Sequence, residues 1–491
     1  MHKDCQASRL ARLLPHESIK DSGSIESVPV TTIAIPFVQS GSYPTRSGNL
    51  VRPLIDGEPA FRSICEAMET ARRSIWITVT FLWQTCEMPD GRGTPFDVLD
   101  RAAARGIDVR IIFWRPDEET AWLRQNAFWG STTHVELLAR RRSGVKIRWD
   151  RAKPGFCQHQ KSWLVDAGTP NETAFVGGIN LNPNSMVAPG HRGEGHNHDV
   201  YLELAGPSVV DVHHNFVQRW NEASERLAED GRWGTGSEAN LPFPDRVPAE
   251  CGAVVVQIQR TIHSGRYTDG RATPEGAPYD IASGERSNFE QYCSAILAAR
   301  RSIYIENQQI DVPEIVDCLQ QALIRGVQVV LLMPYDPEAA VQTQAKLPAS
   351  LRPLARFGIF DNFMLAGIAG IGDDGHRKSV YVHSKLMLVD DEWATVGSCN
   401  LHRFSLFGNG EMNAAFSDSR TVRALRCELL QEHLAVDTSG IDDRGALSLF
   451  RETARQNRRK IEGGDPTWQG LAFELATGCN EGVEAAQKLV R

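Results

Sequence analysis

The hydrophobic pattern changes period at residue 75. FRSICEAMETARRS (61–74) spaces its apolar residues three and four apart, as a helix lying on a core does, and IWITVTFLW (75–83) is β-branched and aromatic almost throughout. The same change recurs where NFEQYCSAILAARRS (288–302) runs into IYIENQQI (303–310). After each comes a second helix-like stretch and then an apolar strand, VRIIFW (109–114) or VVLLMP (329–334). Strands alternating with helices predict an α/β fold, with largely buried sheets flanked by helices.

The chain is written twice. ARRSI at 71–75 returns at 299–303, and RGIDVRIIFWRPD (105–117) is echoed by RGVQVVLLMPYDP (325–337). Matched blocks in one order at nearly constant offset indicate a duplication into two similar lobes, each a mixed β-sheet flanked by helices, with one active site between them. The reading divides the chain into an irregular arm (1–45), lobe 1 (46–240), lobe 2 (241–437) and a helical tail (438–491), with GTGSEANLPFPDRVPAE (234–250) joining the lobes. A length of 491 residues suits two packed units better than one.

The duplication carries chemistry. HQKSWLVD (159–166) and HSKLMLVD (383–390) repeat the spacing H-x-K-x-x-x-x-D. On a strand, residues two apart share a face, so His159 projects with Lys161 and His383 with Lys385. Asp166 and Asp390 close the motifs as supporting carboxylates. A second β-like segment follows each, AFVGGIN ending in Asn180 and ATVGSCN ending in Asn400. Gly177, Gly178, Gly397 and Ser398 are small enough to let a ligand approach the backbone. Beyond them lie Asp199 and Glu411.

Two histidines, two lysines and two asparagines suit phosphoryl chemistry. Lysine neutralises phosphate oxygens as a point charge, and asparagine donates without charge. One neutral imidazole attacks phosphorus while a protonated one supplies the leaving oxygen with a proton. A single site needs one histidine in each state, which explains the repetition. Asp199 and Glu411 would orient the rings and tune their basicity.

Charge and composition narrow the setting. A net charge of -8 and a pI near 6.0 argue against a surface that grips nucleic acid non-specifically. Ten cysteines without a C-x-x-C pair read as reduced, mostly buried thiols, and Cys157 and Cys399 flank the motifs. No cofactor or metal is expected, since there is neither a glycine-rich nucleotide loop nor a zinc-spaced Cys/His set. The first apolar run, VPVTTIAIPFV (28–38), is too short to span a bilayer and lacks a signal-peptide pattern. A cytoplasmic monomer without a transmembrane segment, or one exported without a cleaved signal, is expected. PNSMVAPGHRGEGHNHD (183–199), with His191, His196 and His198, reads as a flexible loop over the site mouth. Among the lobe 1 aromatics, Trp83 included, Trp114 is expected in the core. Trp122, Phe128 and Trp129 fit a lip at a lipid interface as well as they fit packing.

These motifs resemble those of the phospholipase D superfamily over about residues 46–437. HDVYLELAGPSVVDVHHNFVQRWN (198–221), QRTI…GERS (259–287) and SIYIENQ (302–308) look like the phospholipase D branch proper. The resemblance implies a covalent phosphohistidine, with His159 as nucleophile, His383 as general acid and no required metal. It implies hydrolysis of glycerophospholipids to phosphatidic acid and a free head group, with transfer to alcohols, on a phospholipid or membrane-surface substrate. The alternatives are a cardiolipin-synthase-like phosphatidyltransferase or a nuclease of the same superfamily. GGIN departs from the GGID frequent in eukaryotic members, and the arm before lobe 1 is too short for their membrane-targeting domains.

Overall fold

A computed structural model describes residues 35–225, 240–337, 339 and 351–475. Most of the N-terminal arm (1–34), the start of the connection between lobes (234–239) and the end of the tail (476–491) lie outside the described residues.

Lobe 1 holds strands β1 (Arg46–Ile55), β2 (Ser74–Val79), β3 (Asp108–Trp114), β4 (Lys146–Asp150), β5 (Lys161–Val165), β6 (Thr173–Gly177) and β7 (Val200–Ala205). Their order across the sheet is β1-β7-β6-β5-β2-β3-β4; β2, β3 and β4 run parallel and the other neighbours antiparallel. Lobe 2 holds β8 (Val254–Ile262), β9 (Ser302–Glu306), β10 (Gln328–Leu332), β11 (Phe363–Ile371), β12 (Leu386–Val389), β13 (Trp393–Gly397) and β14 (Glu411–Ser417). Their order, β8-β14-β13-β12-β9-β10-β11, repeats the first sheet strand for strand and direction for direction. The duplication legible in ARRSI is thus a duplication of topology. β1 ties the sheets together by pairing with β7 along Leu50–Ile55 and with β8 at Arg46 and Asn49.

Helices follow the same scheme: α1 (Gly57–Thr70), α2 (Pro95–Ala104), α3 (Thr132–Arg141) and α4 (Val209–Asn221) in lobe 1, then α5 (Ser287–Ala298), α6 (Pro313–Ile324), α7 (Arg403–Phe407), α8 (Ser419–Leu434) and α9 (Asp443–Glu462). The apolar stripe read at 61–74 becomes the buried face of α1, where Phe61, Ile64, Cys65 and Met68 are covered. The segment read as a helical tail holds α9 and then β15 (Ala472–Glu474), which adds an antiparallel strand to β11.

Strand period decides which core each side chain enters. Along β5, Trp163 and Val165 join the outer core of lobe 1, while Leu164 enters a core shared by both lobes. Along β12, Met387 and Val389 join the outer core of lobe 2, while Leu386 and Leu388 enter the shared one. α4 and α8 contribute Phe216, Leu425 and Leu429 to that shared core. The apolar runs behind each H-x-K pair are therefore buried on both faces, which fixes their register strongly. Among the described residues no helix is long and apolar enough to cross a membrane.

Candidate functional site

Each histidine is delivered by a short strand that crosses to the other lobe. His159 N donates to Gly410 O at 2.7 Å and Gly410 N donates to Cys157 O at 2.9 Å, placing the ring beside Glu411 of lobe 2. Tyr381–Val382 pairs parallel to Asn197–His198, and His383 N donates to His198 O at 2.8 Å, placing that ring beside Asp199 of lobe 1. The result is two crossed pairs. His159 Nδ1 lies 3.0 Å from Glu411 Oε2, and His383 Nδ1 lies 2.5 Å from Asp199 Oδ2.

This geometry sets the tautomer of the first ring. His159 Nδ1 faces two acceptors, Glu411 Oε2 and the Ser398 carbonyl oxygen, each at 3.0 Å, so it carries the proton and Nε2 keeps its lone pair. Burial pushes the His159 imidazolium down to about 4, against the opposing pull of Glu411, so the ring is neutral near pH 7. Burial alone would raise Glu411, but His159, Lys161 and the Ser398 hydroxyl outweigh it and hold the carboxyl below its usual range. In the second pair burial wins on both sides. It pushes Asp199 up to about 7 and His383 well down, so the pair holds a dissociable proton nearly to neutrality. Asn180 Nδ2 reaches His383 Nε2 across the lobes at 3.4 Å.

The lysines are the most telling groups. Lys161 is 3% exposed and Lys385 fully buried, and their ammonium groups donate to the carbonyl oxygens of His159 and His383. Among the described residues neither forms an ion pair. Burial pushes Lys161 down to about 8 and Lys385 to about 7. Two buried ammonium groups converge on two imidazoles, with Glu411 and Asp199 held on the far side of the rings, an arrangement suited to an anion between them. The side-chain oxygens of Asn180 and Asn400 are buried without a hydrogen-bond partner as well.

The small residues do something other than admit a ligand. A Cβ on Gly178 would meet Asp199 Oδ1 at 2.5 Å, and one on Gly397 would meet Met412 O at 2.4 Å. The space at Gly177, Gly178 and Gly397 is taken by the neighbouring strand and by Asp199 itself. Ser398 donates to Glu411 Oε2 at 2.6 Å.

Residues that the motifs did not flag support the two halves differently. Behind His159, Gln160 donates to Glu411 O and accepts from Asn215 and Arg219. Behind His383, the buried Glu306 accepts from Ser384 Oγ at 2.5 Å and Tyr304 OH at 2.8 Å, and meets His198 Nε2 at 3.1 Å and His433 Nε2 at 3.2 Å. His198 bridges onward to Asp56 at 3.0 Å. His191 Nε2 lies 3.3 Å from Asp56 Oδ2, from Glu432 Oε1 and from His198 Nδ1. One ligand atom from each of Asp56, His191, His198 and Glu432 lies within 4.8 Å of the others, a donor set of the kind that takes a divalent cation. A cation there would tie lobe 1 to α8, behind Asp199 rather than among the reacting groups. The sequence signal for this cluster was limited to the histidines of 183–199. That segment is also no free loop, since His191 and His198 are fully buried and 197–198 is paired.

Asp166 and Asp390 are not brought to the site. Each sits past the far end of its motif strand, about 16 Å from the lysine at the rise of a strand, and accepts backbone N–H groups of 72–74 or 300–302. Of the lobe 1 aromatics, Trp114 and Phe128 are buried, Trp83 and Trp129 half-buried, and only Trp122 is exposed. Burial pushes the Cys157 and Cys399 thiols up, away from thiolate reactivity.

Residues 64–220 and 292–433 match a family model described as cardiolipin synthase, PLD-like domain. The chain is 24% identical over 410 residues to a probable cardiolipin synthase, YwiE, of Bacillus subtilis, covering 82% of this chain and 70% of that one. It is 22% identical over 413 residues to a cardiolipin synthase of Listeria monocytogenes, covering 82% and 72%. It is 24% identical over 524 residues to phospholipase D alpha 2 of Oryza sativa, covering 80% of this chain and 62% of the rice protein.

Proposed function

The chain belongs to the phospholipase D superfamily, whose members act on phosphodiester bonds, and from that premise we propose that it transfers phosphatidyl groups through His159. His159 Nε2 attacks the lipid phosphorus, the bond to the head-group oxygen breaks, and His383 gives that oxygen its proton. An acceptor hydroxyl then loses its proton to His383 and attacks, and the phosphorus–nitrogen bond breaks. Lys161 and Lys385 neutralise the non-bridging oxygens, and Asn180 and Asn400 complete the hydrogen bonding. Glu411 and Asp199 hold the rings. The observation that carries the reading is the pair of buried lysines, in no ion pair among the described residues, beside two crossed histidine–carboxylate pairs.

The acceptor separates two outcomes of the same chemistry. A glycerol hydroxyl of a second phospholipid gives cardiolipin, the reading favoured by the family description and by the Bacillus and Listeria relatives. Water gives phosphatidic acid, the reading favoured by the likeness to the rice phospholipase. Protein with phosphatidylglycerol vesicles should yield cardiolipin and free glycerol. Phosphatidic acid and glycerol without cardiolipin would make the enzyme a hydrolase. No product from phosphatidylglycerol or phosphatidylcholine, with or without an added alcohol, would end the lipid reading.

The pH profile follows from the same burial. The attacking ring must be neutral, and its conjugate acid titrates at about 4, so kcat/KM should rise with pH and level off above about pH 5. Lysines titrating at about 7 and 8 lose their charge as pH rises, which raises KM, and the Asp199–His383 pair gives up its proton near 7, which lowers kcat, so kcat/KM should fall above pH 7–8. Lys385→Arg, which stays charged, should shift the rise in KM upward in pH and leave the fall in kcat that the acid pair sets. A KM that rises at the same pH in this variant would assign that part of the limb to another group.

A further inference from the structure

Exposed large hydrophobic side chains sort by the two edges of the sheets. Leu297 and Ile324 sit where α5 and α6 feed the starts of β9 and β10, and Ile441 precedes α9 near Arg301, all at the edge away from the motif histidines. Trp122, Ile371, Tyr381 and Phe404, at 73%, 39%, 45% and 50% exposure, lie at the other edge, where the motif strands begin. Trp122 belongs to the connection leaving β3, whose Asp117 accepts from Gly155 N just before the first motif. Tyr381 lies two residues before His383, with ring centroids 6.3 Å apart. Phe404 follows Asn400 and meets Phe156 of lobe 1, ring to ring, at 5.6 Å. Ile371 ends β11. Every exposed large aromatic among the described residues is therefore on the catalytic edge.

Cations accompany these side chains. Arg403 precedes Phe404, Lys153 stands over the Phe156 ring at 6.0 Å, Arg192 bridges to Ile371, and Arg124 lies two residues from Trp122. Arg403, Lys153 and Arg192 are exposed and form no ion pair among the described residues. Glu118, Glu119, Glu194, Asp373 and Asp374 are exposed at this edge as well, so the cations that matter are those set directly beside the rings, Lys153 over Phe156 and Arg403 next to Phe404. An aromatic tip that can enter an apolar layer, with a cation at its base to meet phosphate, is the make-up of an interfacial anchor. The anchors come from four separate segments of both lobes, with Tyr381 beside the ring of His383.

We propose that this edge docks the enzyme on an anionic phospholipid surface, with Trp122, Tyr381 and Phe404 inserted and Lys153, Arg192 and Arg403 on the phosphates. The inference rests on the lipid-substrate reading for its purpose, but binding can be measured without turnover. The full chain is sedimented with vesicles of phosphatidylglycerol and phosphatidylcholine, or of phosphatidylcholine alone. Turnover is followed in parallel on vesicles and on a water-soluble phosphodiester, bis-p-nitrophenyl phosphate. Trp122→Ala combined with Phe404→Ala should weaken vesicle binding and vesicle turnover by at least about tenfold and leave soluble turnover unchanged. Lys153→Glu with Arg403→Glu should remove the preference for phosphatidylglycerol. Leu297→Ala with Ile324→Ala, at the far edge, should change neither, and circular dichroism checks that each variant is folded. Equal binding by the wild type and the aromatic variant would overturn the proposal, even with lipid turnover intact. Vesicle binding lost in the aromatic variant, from a wild type with no lipid turnover, would support this surface and reject the lipid-substrate reading instead.

Discussion

His159→Ala should abolish turnover, by at least about 10³-fold, while the protein stays folded. His159 reaches the cavity from a crossing strand held by backbone hydrogen bonds, so the side chain can go without disturbing the pairing with Gly410. What goes with it is a ring whose Nε2 lone pair is prepared by a tautomer fixed between Glu411 and Ser398. His383→Ala should look equally dead on a lipid, because a poor alkoxide leaving group needs its proton. A p-nitrophenyl phosphodiester separates the two, since p-nitrophenolate leaves unprotonated. His383→Ala should release up to one equivalent in a burst and then stall, with the phosphoryl group and its remaining ester trapped on His159 for want of a base. His159→Ala should release none. Stopped-flow absorbance reads the burst, and mass spectrometry locates the adduct. A burst in His159→Ala and none in His383→Ala would reverse the roles.

Asp390→Ala should destabilise the fold by about 2–5 kcal/mol, from lost acceptors for buried N–H groups and from alanine at a left-handed position. Asp390 takes a φ of 57°, and its carboxylate accepts from the backbone N–H groups of Arg300, Arg301 and Ser302 at 2.7–2.8 Å. Asp166 has the same φ and accepts from Arg72 and Arg73 at 2.7–2.8 Å and more weakly from Ser74 at 3.4 Å, so Asp166→Ala should cost less. Asparagine tolerates the left-handed region and keeps one acceptor, so Asp390→Asn should recover part of the loss. Urea unfolding measures the difference, and active-site titration of the folded fraction should show normal turnover. A folded Asp390→Ala protein with turnover lowered like that of His159→Ala would instead put this carboxylate in the chemistry. The donors here are the repeated ARRS segments, so the closing aspartate of each motif reads the other repeated block of its own lobe.

That relation marks the boundary between local and long-range information. The two lobes and the strand character of the apolar half of each motif were legible, because period and repetition are carried by residues near one another in the chain, whereas His159, His383 and Lys385 lie in the links before those strands. Asp199 and Glu411 were legible as orienting carboxylates, but not which ring each would meet. His159 takes Glu411, 252 residues away, and His383 takes Asp199, 184 residues away, because each motif is held by a strand crossing into the opposite lobe. The glycines looked like openings for a ligand, and only the packed neighbour shows that Asp199 fills the space beside Gly178. Phe128 and Trp122 share one polar stretch, yet one is buried and the other exposed, since local polarity does not say which side of a loop meets the sheet. Glu306 sat inside an apolar strand without a visible partner, and its four partners lie up to 127 residues from it in sequence. Composition and period determined the parts and their chemistry. The crossing of the two lobes decided how those parts combine, because burial, tautomer and charge at this site are set by contacts that no single stretch of chain contains.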